Sequence, residues 1–201
     1  MHLLQNPIRS ELLLTKTLNI KHRFYASSSE PLSHKYLMKL TEEKGYSYLI
    51  ELFNNHSLGY AENGGSVDLR EEVAKLYGPN IGPENIVIFP GAQTGMTLTS
   101  QALLTKEDHS IIITPSYQSL EEGAKLFGKN FTRVALSPEN DWEINLEAVE
   151  ASIRLNTKYL LLNDPHNPTG ALMSLETKQG LIKLAEHYGF QIFSDEVYRL
   201  L

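Results

Sequence analysis

Asn167, Asp195 and Tyr198 put one amide, one carboxylate and one phenol where they could act on a single ligand. Asn167 belongs to the run Asn163–Gly170, which closes a strand-like apolar stretch, Lys158–Leu162, and precedes a helix-like one. Asp195 and Tyr198 follow 28 and 31 residues later, at the end of the next strand-like stretch. That layout lines the three along one edge of a sheet, where open α/β folds bind ligands. A flat, cationic, aromatic cofactor would need the trio.

Pro165 and Pro168 stiffen the backbone on either side of Asn167, and the Asn167–Pro168 bond is a candidate cis peptide. Rigidity suits a side chain that must hold a fixed hydrogen bond. A merely stiff connection would not require His166 and Asn167 between the prolines. His166 has no metal partner at useful spacing and reads as a histidine in the layer behind the ligand or as a structural one. Asp195 follows Ile192 and Phe193, both expected to be buried. A carboxylate so placed costs several kcal/mol unless paired. A pyridinium or a lysine would pair it; a salt bridge or a cap on the next turn is the plainer alternative. Tyr198 either donates to an oxygen on the same ligand or is core. Glu196 and Arg199 face solvent or bond each other.

Two further features lie upstream. Gly91–Gly95 falls between a strand-like and a helix-like segment, where glycines permit a tight turn and the free amides of a helix start form an anion site. Gln93 and Thr94 add side-chain donors, although most such loops are simple turns. No Gly-Lys-Ser/Thr follows, so this is not a Walker loop. Tyr117, after Pro115 and Ser116, could lie flat on a bound ring, a geometry that gains about 0.5–1.5 kcal/mol beyond area burial. On its own it reads as an ordinary aromatic that starts a helix and packs beneath it.

The elements that must position these groups alternate from residue 85 onward. Short apolar runs at 86–89, 111–114, 131–136, 159–162 and 191–194 read as strands. Between them, 96–104, 117–127, 146–155 and 175–188 read as helices, the last ending at Gly189. Upstream, 31–40 reads as a helix, 59–65 as a loop, and Ser66 caps a helix over 67–77 with Gly78 past its end. Continuous apolar strands alternating with helices predict a three-layer α/β fold: a mostly parallel sheet with helices on both faces.

Composition bounds the alternatives. The chain has 201 residues, 41% apolar and 21% charged, with a net charge of −6. It lacks the basic stripe of a nucleic-acid binder, and no apolar run nears the length of a membrane span. Zero cysteines exclude disulfides, thiolate metal sites and cysteine nucleophiles. Arg9, Lys16, Lys21 and Arg23 with Ser27–Ser29 give the first thirty residues the composition of a targeting segment. Leu12–Leu14 is too short for a signal peptide, and the cytoplasm is the default expectation.

Taken together, the Gly91 turn, Tyr117, His166–Gly170 and Ser194–Tyr198 resemble the class I/II aminotransferases, fold-type-I enzymes dependent on pyridoxal 5′-phosphate. The match runs from about residue 20 to the end; Ser29–Leu32, Leu58–Tyr60, Gly65 and Leu69–Arg70 form its softer part. The resemblance implies that Asn167 bonds the ring hydroxyl oxygen with Tyr198 as a second donor. Asp195 would keep the ring nitrogen protonated and Tyr117 would stack on the ring. Gly91, Ala92 and Gln93 would bind the phosphate, and Tyr60 would reach the phosphate of another subunit, which implies a homodimer. Residues 1–50 would be a small-domain or dimer-arm segment and 51–201 the first portion of the large cofactor domain. Amino acids and 2-oxo acids would be the substrates.

Asp164 departs from the family, which usually has a residue such as Asn there; no effect on the cofactor is expected. Family members carry the Schiff-base lysine a few dozen residues beyond the tyrosine, and no lysine of this chain matches it. The expectation is therefore the N-terminal part of a longer enzyme, with no catalytic residue in 1–201 and a sheet gapped between its first and fourth strands. A lyase acting on Cα or Cβ bonds is the nearest rival, because fold and cofactor residues do not separate the two reactions. A non-catalytic cofactor-binding remnant is the other.

Overall fold

The computed structural model describes residues 31–128 and 130–200. The targeting composition of residues 1–30 lies outside them, as does the start of the softer family match. Two compact units divide at Tyr60/Ala61; the division expected from sequence lay at residue 50.

In the first unit, α1 (His34–Glu43) and α2 (Ser47–Asn55) pack on each other. Ser33 caps α1 by accepting from Tyr36 N at 3.1 Å. The sequence pattern did not foresee α2. Neither helix buries a residue fully.

The second unit begins with α3 (Val67–Ala74), where Ser66 Oγ accepts from Leu69 N as its sequence position predicts. There follow α4 (Ala92–Leu103), β1 (His109–Thr114), α5 (Gln118–Gly123) with a wider π-helical turn over Ala124–Gly128, and β2 (Asn130–Ala135). Next come α6 (Leu146–Ala151), β3 (Thr157–Asn163), α7 (Leu175–Tyr188) and β4 (Gln191–Asp195). Ser174 caps the start of α7 by accepting from Thr177 N, and Gly189 ends it in the left-handed region at φ +75°. Only glycine adopts that conformation without strain.

The strands pair in parallel in the order β2-β1-β3-β4. Strand side chains alternate between the two faces, and the core follows that alternation. Ile111, Ile113, Leu160 and Leu162 cluster with Val149 of α6 and Leu181 of α7. Ile112, Tyr159 and Leu161 cluster with Leu104, Leu120 and Ala124 on the other face. Withdrawing each large apolar side chain from water contributes roughly 1.5–3 kcal/mol. The three-layer α/β expectation holds.

Three expectations need correction. Residues 86–89 are not a strand; besides local bonds to Pro83 and Gly91, the stretch is tied by the backbone bond from Ile88 N to Gly64 O. A strand exists only where a neighbour completes its ladder, and apolar sequence cannot supply one. The gap expected beside the fourth predicted strand is absent, since β3 pairs with β1 on one side and β4 on the other. Several helix ends also differ: α4 starts at Ala92 rather than 96, while α3 and α6 stop at Ala74 and Ala151. Among the described residues, no helix is long and apolar enough to cross a membrane.

Candidate functional site

Because all four strands are parallel, the carboxyl ends of β1, β3 and β4 lie along one edge in that order. Each end leads into a candidate segment: Pro115–Tyr117, Asp164–Gly170 and Glu196–Tyr198. The bonds Thr114–Pro115, Asp164–Pro165 and Asn167–Pro168 are cis, the last as foreseen.

The loop after β3 is pinned by its first residue. Asn163 is buried at 5% exposure. Its Nδ2 donates to Asp195 O at 2.8 Å and its Oδ1 accepts from Asn167 N at 2.7 Å. Asp164 N also donates to Asp195 O, at 3.0 Å. Asn167 Nδ2 then reaches Tyr198 Oη at 3.4 Å, so the structure joins the Asn167 and Tyr198 side chains, while Asp195 is tied to the same loop through its backbone carbonyl. The Asp164 carboxylate turns away, accepting from Met173 N at 3.0 Å and pairing with Lys178 at 2.7 Å. It braces the loop exit against α7.

Asp195 is partly buried, and its Oδ1 accepts from Val197 N at 3.0 Å. Among the described residues no lysine or arginine pairs with it; Arg199 pairs with Glu196 instead, at 2.9 Å. Burial pushes the Asp195 carboxyl above the usual carboxylate range, the Glu196 charge adds to that, and the Val197 amide opposes it. A carboxylate held this way favours a cationic partner.

The Gly91 turn presents backbone donors. Gly91 lies at φ +98°, ψ 144° and N-caps α4. Its carbonyl accepts from Thr94 N and Gly95 N. The Ala92 and Gln93 amides take no acceptor among the described residues and lie in exposed residues at the positive end of a twelve-residue helix. Such a pair of free amides suits an anion. Tyr117 caps α5 directly after β1 and is 39% exposed. Ser116 beside it has a buried hydroxyl that finds no partner among the described residues. Tyr60 ends the other compact unit, fully exposed.

Sequence reading placed Asn163 in the loop but gave it no role. The only signal was an amide at a strand end, and its partner lies 32 residues away. His166 matches its structural reading, with Nε2 at 2.8 Å from Pro115 O and Nδ1 at 2.7 Å from Thr169 Oγ1.

A parallel sheet with helices on both faces defines an open α/β domain, and its polar groups gather beyond the carboxyl edge, where such folds bind ligands. Residues 40–201 match the model of the family described as aminotransferase class I and II. The chain belongs to that family. It is 36% identical over 143 residues to an aspartate aminotransferase of Pyrococcus horikoshii, covering 69% of this chain and 37% of that protein. It is 37% identical over 146 residues to a probable aspartate aminotransferase of Methanocaldococcus jannaschii, covering 69% and 38%. Among solved structures, a PLP-dependent aminotransferase from Streptococcus suis superposes with a TM-score of 0.80 at 28% identity, over 98% of this chain and 52% of that one. An aspartate aminotransferase from Thermotoga maritima gives 0.78 at 26%, over 95% and 50%. The chain thus spans well under half the length of the curated relatives it matches.

Proposed function

We propose that this chain supplies the pyridoxal 5′-phosphate site of an aminotransferase that moves an amino group from an amino acid to a 2-oxo acid. The observation that carries the reading is Asp195: a partly buried carboxylate, raised by its burial and without a cation among the described residues, three residues before the Tyr198 that Asn167 contacts. These groups fit the cofactor. Asp195 would pair with the protonated ring nitrogen, Asn167 and Tyr198 would donate to the ring oxygen, and Tyr117 would cover the ring face. Gly91, Ala92 and Gln93 would hold the phosphate at the start of α4. When bound, the ring supplies an electron sink for the substrate carbanion.

In this reading residues 61–201 are the first portion of the cofactor domain, and no residue of 1–201 is assigned as the covalent lysine. Tyr60 would serve the phosphate of a second subunit, making the working form a homodimer. The cysteine-free composition fits the reducing cytoplasm.

Equilibrium dialysis of the 201-residue chain against pyridoxal 5′-phosphate tests the site; saturable one-to-one binding, released on dialysis after borohydride, is expected. Label retained on a residue of 1–201 would overturn the lysine assignment, and no binding would overturn the cofactor reading. For the reaction, a form of the protein that also carries the covalent lysine is incubated with 2-oxoglutarate and aspartate, the amino acid in the names of the relatives. Glutamate formation supports transfer, whereas ammonia, pyruvate and hydrogen sulfide released from cysteine offered in place of aspartate, with no glutamate formed, would make the protein a lyase.

A further inference from the structure

Among the described residues of the Asn163–Gly170 loop, His166 is the one whose side chain reaches the segment that follows β1. Its residue is 7% exposed. A carbonyl oxygen only accepts, so the 2.8 Å contact with Pro115 O requires the proton on Nε2. In the neutral ring Nδ1 then accepts from the Thr169 hydroxyl at 2.7 Å. Thr169 Oγ1 in turn accepts from Ala171 N at 3.2 Å. The result is a directed chain of donors running from Ala171 through Thr169 and His166 to Pro115.

The backbone reinforces that direction. His166 N donates to Ala171 O at 3.0 Å, and its carbonyl accepts from Gly170 N at 2.8 Å. The loop therefore fixes the ring from its own side, leaving Nε2 to make the loop's polar contact, among the described residues, with the segment after β1. That contact ends two residues before Tyr117, while the histidine itself immediately precedes Asn167. Two segments that are otherwise tied to different neighbours are joined at this ring.

We propose that His166 is a positioning residue that sets the spacing between the Tyr117 ring and the Asn167 amide, so that stacking and the ring-oxygen bond can form on one ligand. The inference rests on the cofactor reading above for what that spacing serves. Its physical core, that His166 orders Tyr117, can be read without any ligand.

His166→Asn keeps an amide near Thr169 but cannot reach Pro115. His166→Gln restores a donor at about the distance of Nε2. In NMR spectra of the ligand-free 201-residue chain, the Tyr117 ring and amide signals shift or broaden in H166N and stay near wild type in H166Q. In equilibrium dialysis, pyridoxal 5′-phosphate binds roughly tenfold more weakly to H166N and within about threefold of wild type to H166Q, the scale of one lost hydrogen bond. The H166N effect vanishes in a Tyr117→Ala background, because the histidine acts through that ring.

Unmoved Tyr117 signals in H166N, an equal loss in H166Q, or a loss that persists in full with Tyr117→Ala would each overturn the inference. So would collapse of the Ile112 and Leu161 signals in H166N, since that would make the role one of general stability. Failure of the wild-type chain to bind would sink the cofactor reading alone, and the ligand-free spectra would still decide the role of His166.

Discussion

Asn163 and Asp195 are register partners at the ends of β3 and β4, and the Asn163 side chain donates to the Asp195 carbonyl oxygen at 2.8 Å. The same side chain accepts from Asn167 N. One buried amide thus fixes the backbone of the candidate ring-oxygen ligand against that of the candidate ring-nitrogen partner. Its donor and its acceptor are both used, which is how a buried amide avoids the cost of desolvation.

Asn163→Ala should lower stability by about 1–3 kcal/mol, the usual cost of stranding a buried polar group. Asp195 O keeps its bond from Asp164 N, but Asn167 N loses its acceptor. The loss should therefore fall on the loop, with pyridoxal 5′-phosphate affinity dropping as well. Urea unfolding and dialysis check this; an unchanged midpoint would show that the amide bridge contributes little.

Asp195→Asn should stabilise the ligand-free chain at neutral pH and weaken cofactor binding. The sign follows from the raised carboxyl. As pH rises from the unfolded value near 3.9, the unfolded carboxyl ionises first and the native one resists, so wild-type stability falls through that window and stays lowered above it. The variant lacks the penalty. Urea midpoints of both proteins should converge at acid pH and separate, variant higher, near pH 7. A variant less stable at pH 7 would mean that Asp195 is satisfied by a partner in the chain itself. Gaining stability while losing binding is what a site held for function predicts.

Much of this architecture could be read from local signals. The cap at Ser66 and the stop at Gly189 depend on residues within one turn, and they stand where expected. The strands from β1 onward follow apolar runs whose alternate residues face two helical layers. Residues 86–89 carry the same apolar signal, yet strand character also requires a neighbour. The contacts that organise the site are the least local: Asn163 to Asp195 across 32 residues and His166 to Pro115 across 51. Nothing in the flanking residues encodes those pairings, which appear only once parallel strands bring their ends to one edge. Asp164 shows the converse, since its difference from the family pattern is absorbed by Met173 and Lys178 beside it.

At the opposite end of β1, His109 should make the fold sensitive to acid. It is fully buried, with Nδ1 at 2.9 Å from Thr157 Oγ1 and Nε2 at 2.9 Å from Thr132 Oγ1. One ring therefore bonds to both strands that flank its own. Burial, with the Arg154 charge adding to it, lowers its pKa to about 4 from an ordinary 6.5. Between those values the unfolded chain takes up a proton that the native one refuses. Stability is thus fully present above about pH 6.5 and lost as pH falls toward 4, by up to about 3 kcal/mol. His109→Asn keeps a polar group near Thr157 and does not titrate. It should be about 1–2 kcal/mol less stable than wild type at neutral pH, having lost the reach to Thr132. The deficit should shrink or reverse on acidification. Urea midpoints of the two proteins between about pH 7 and pH 4.5 test the sign; a difference that stays constant across that range would show that His109 keeps an ordinary pKa in the folded chain.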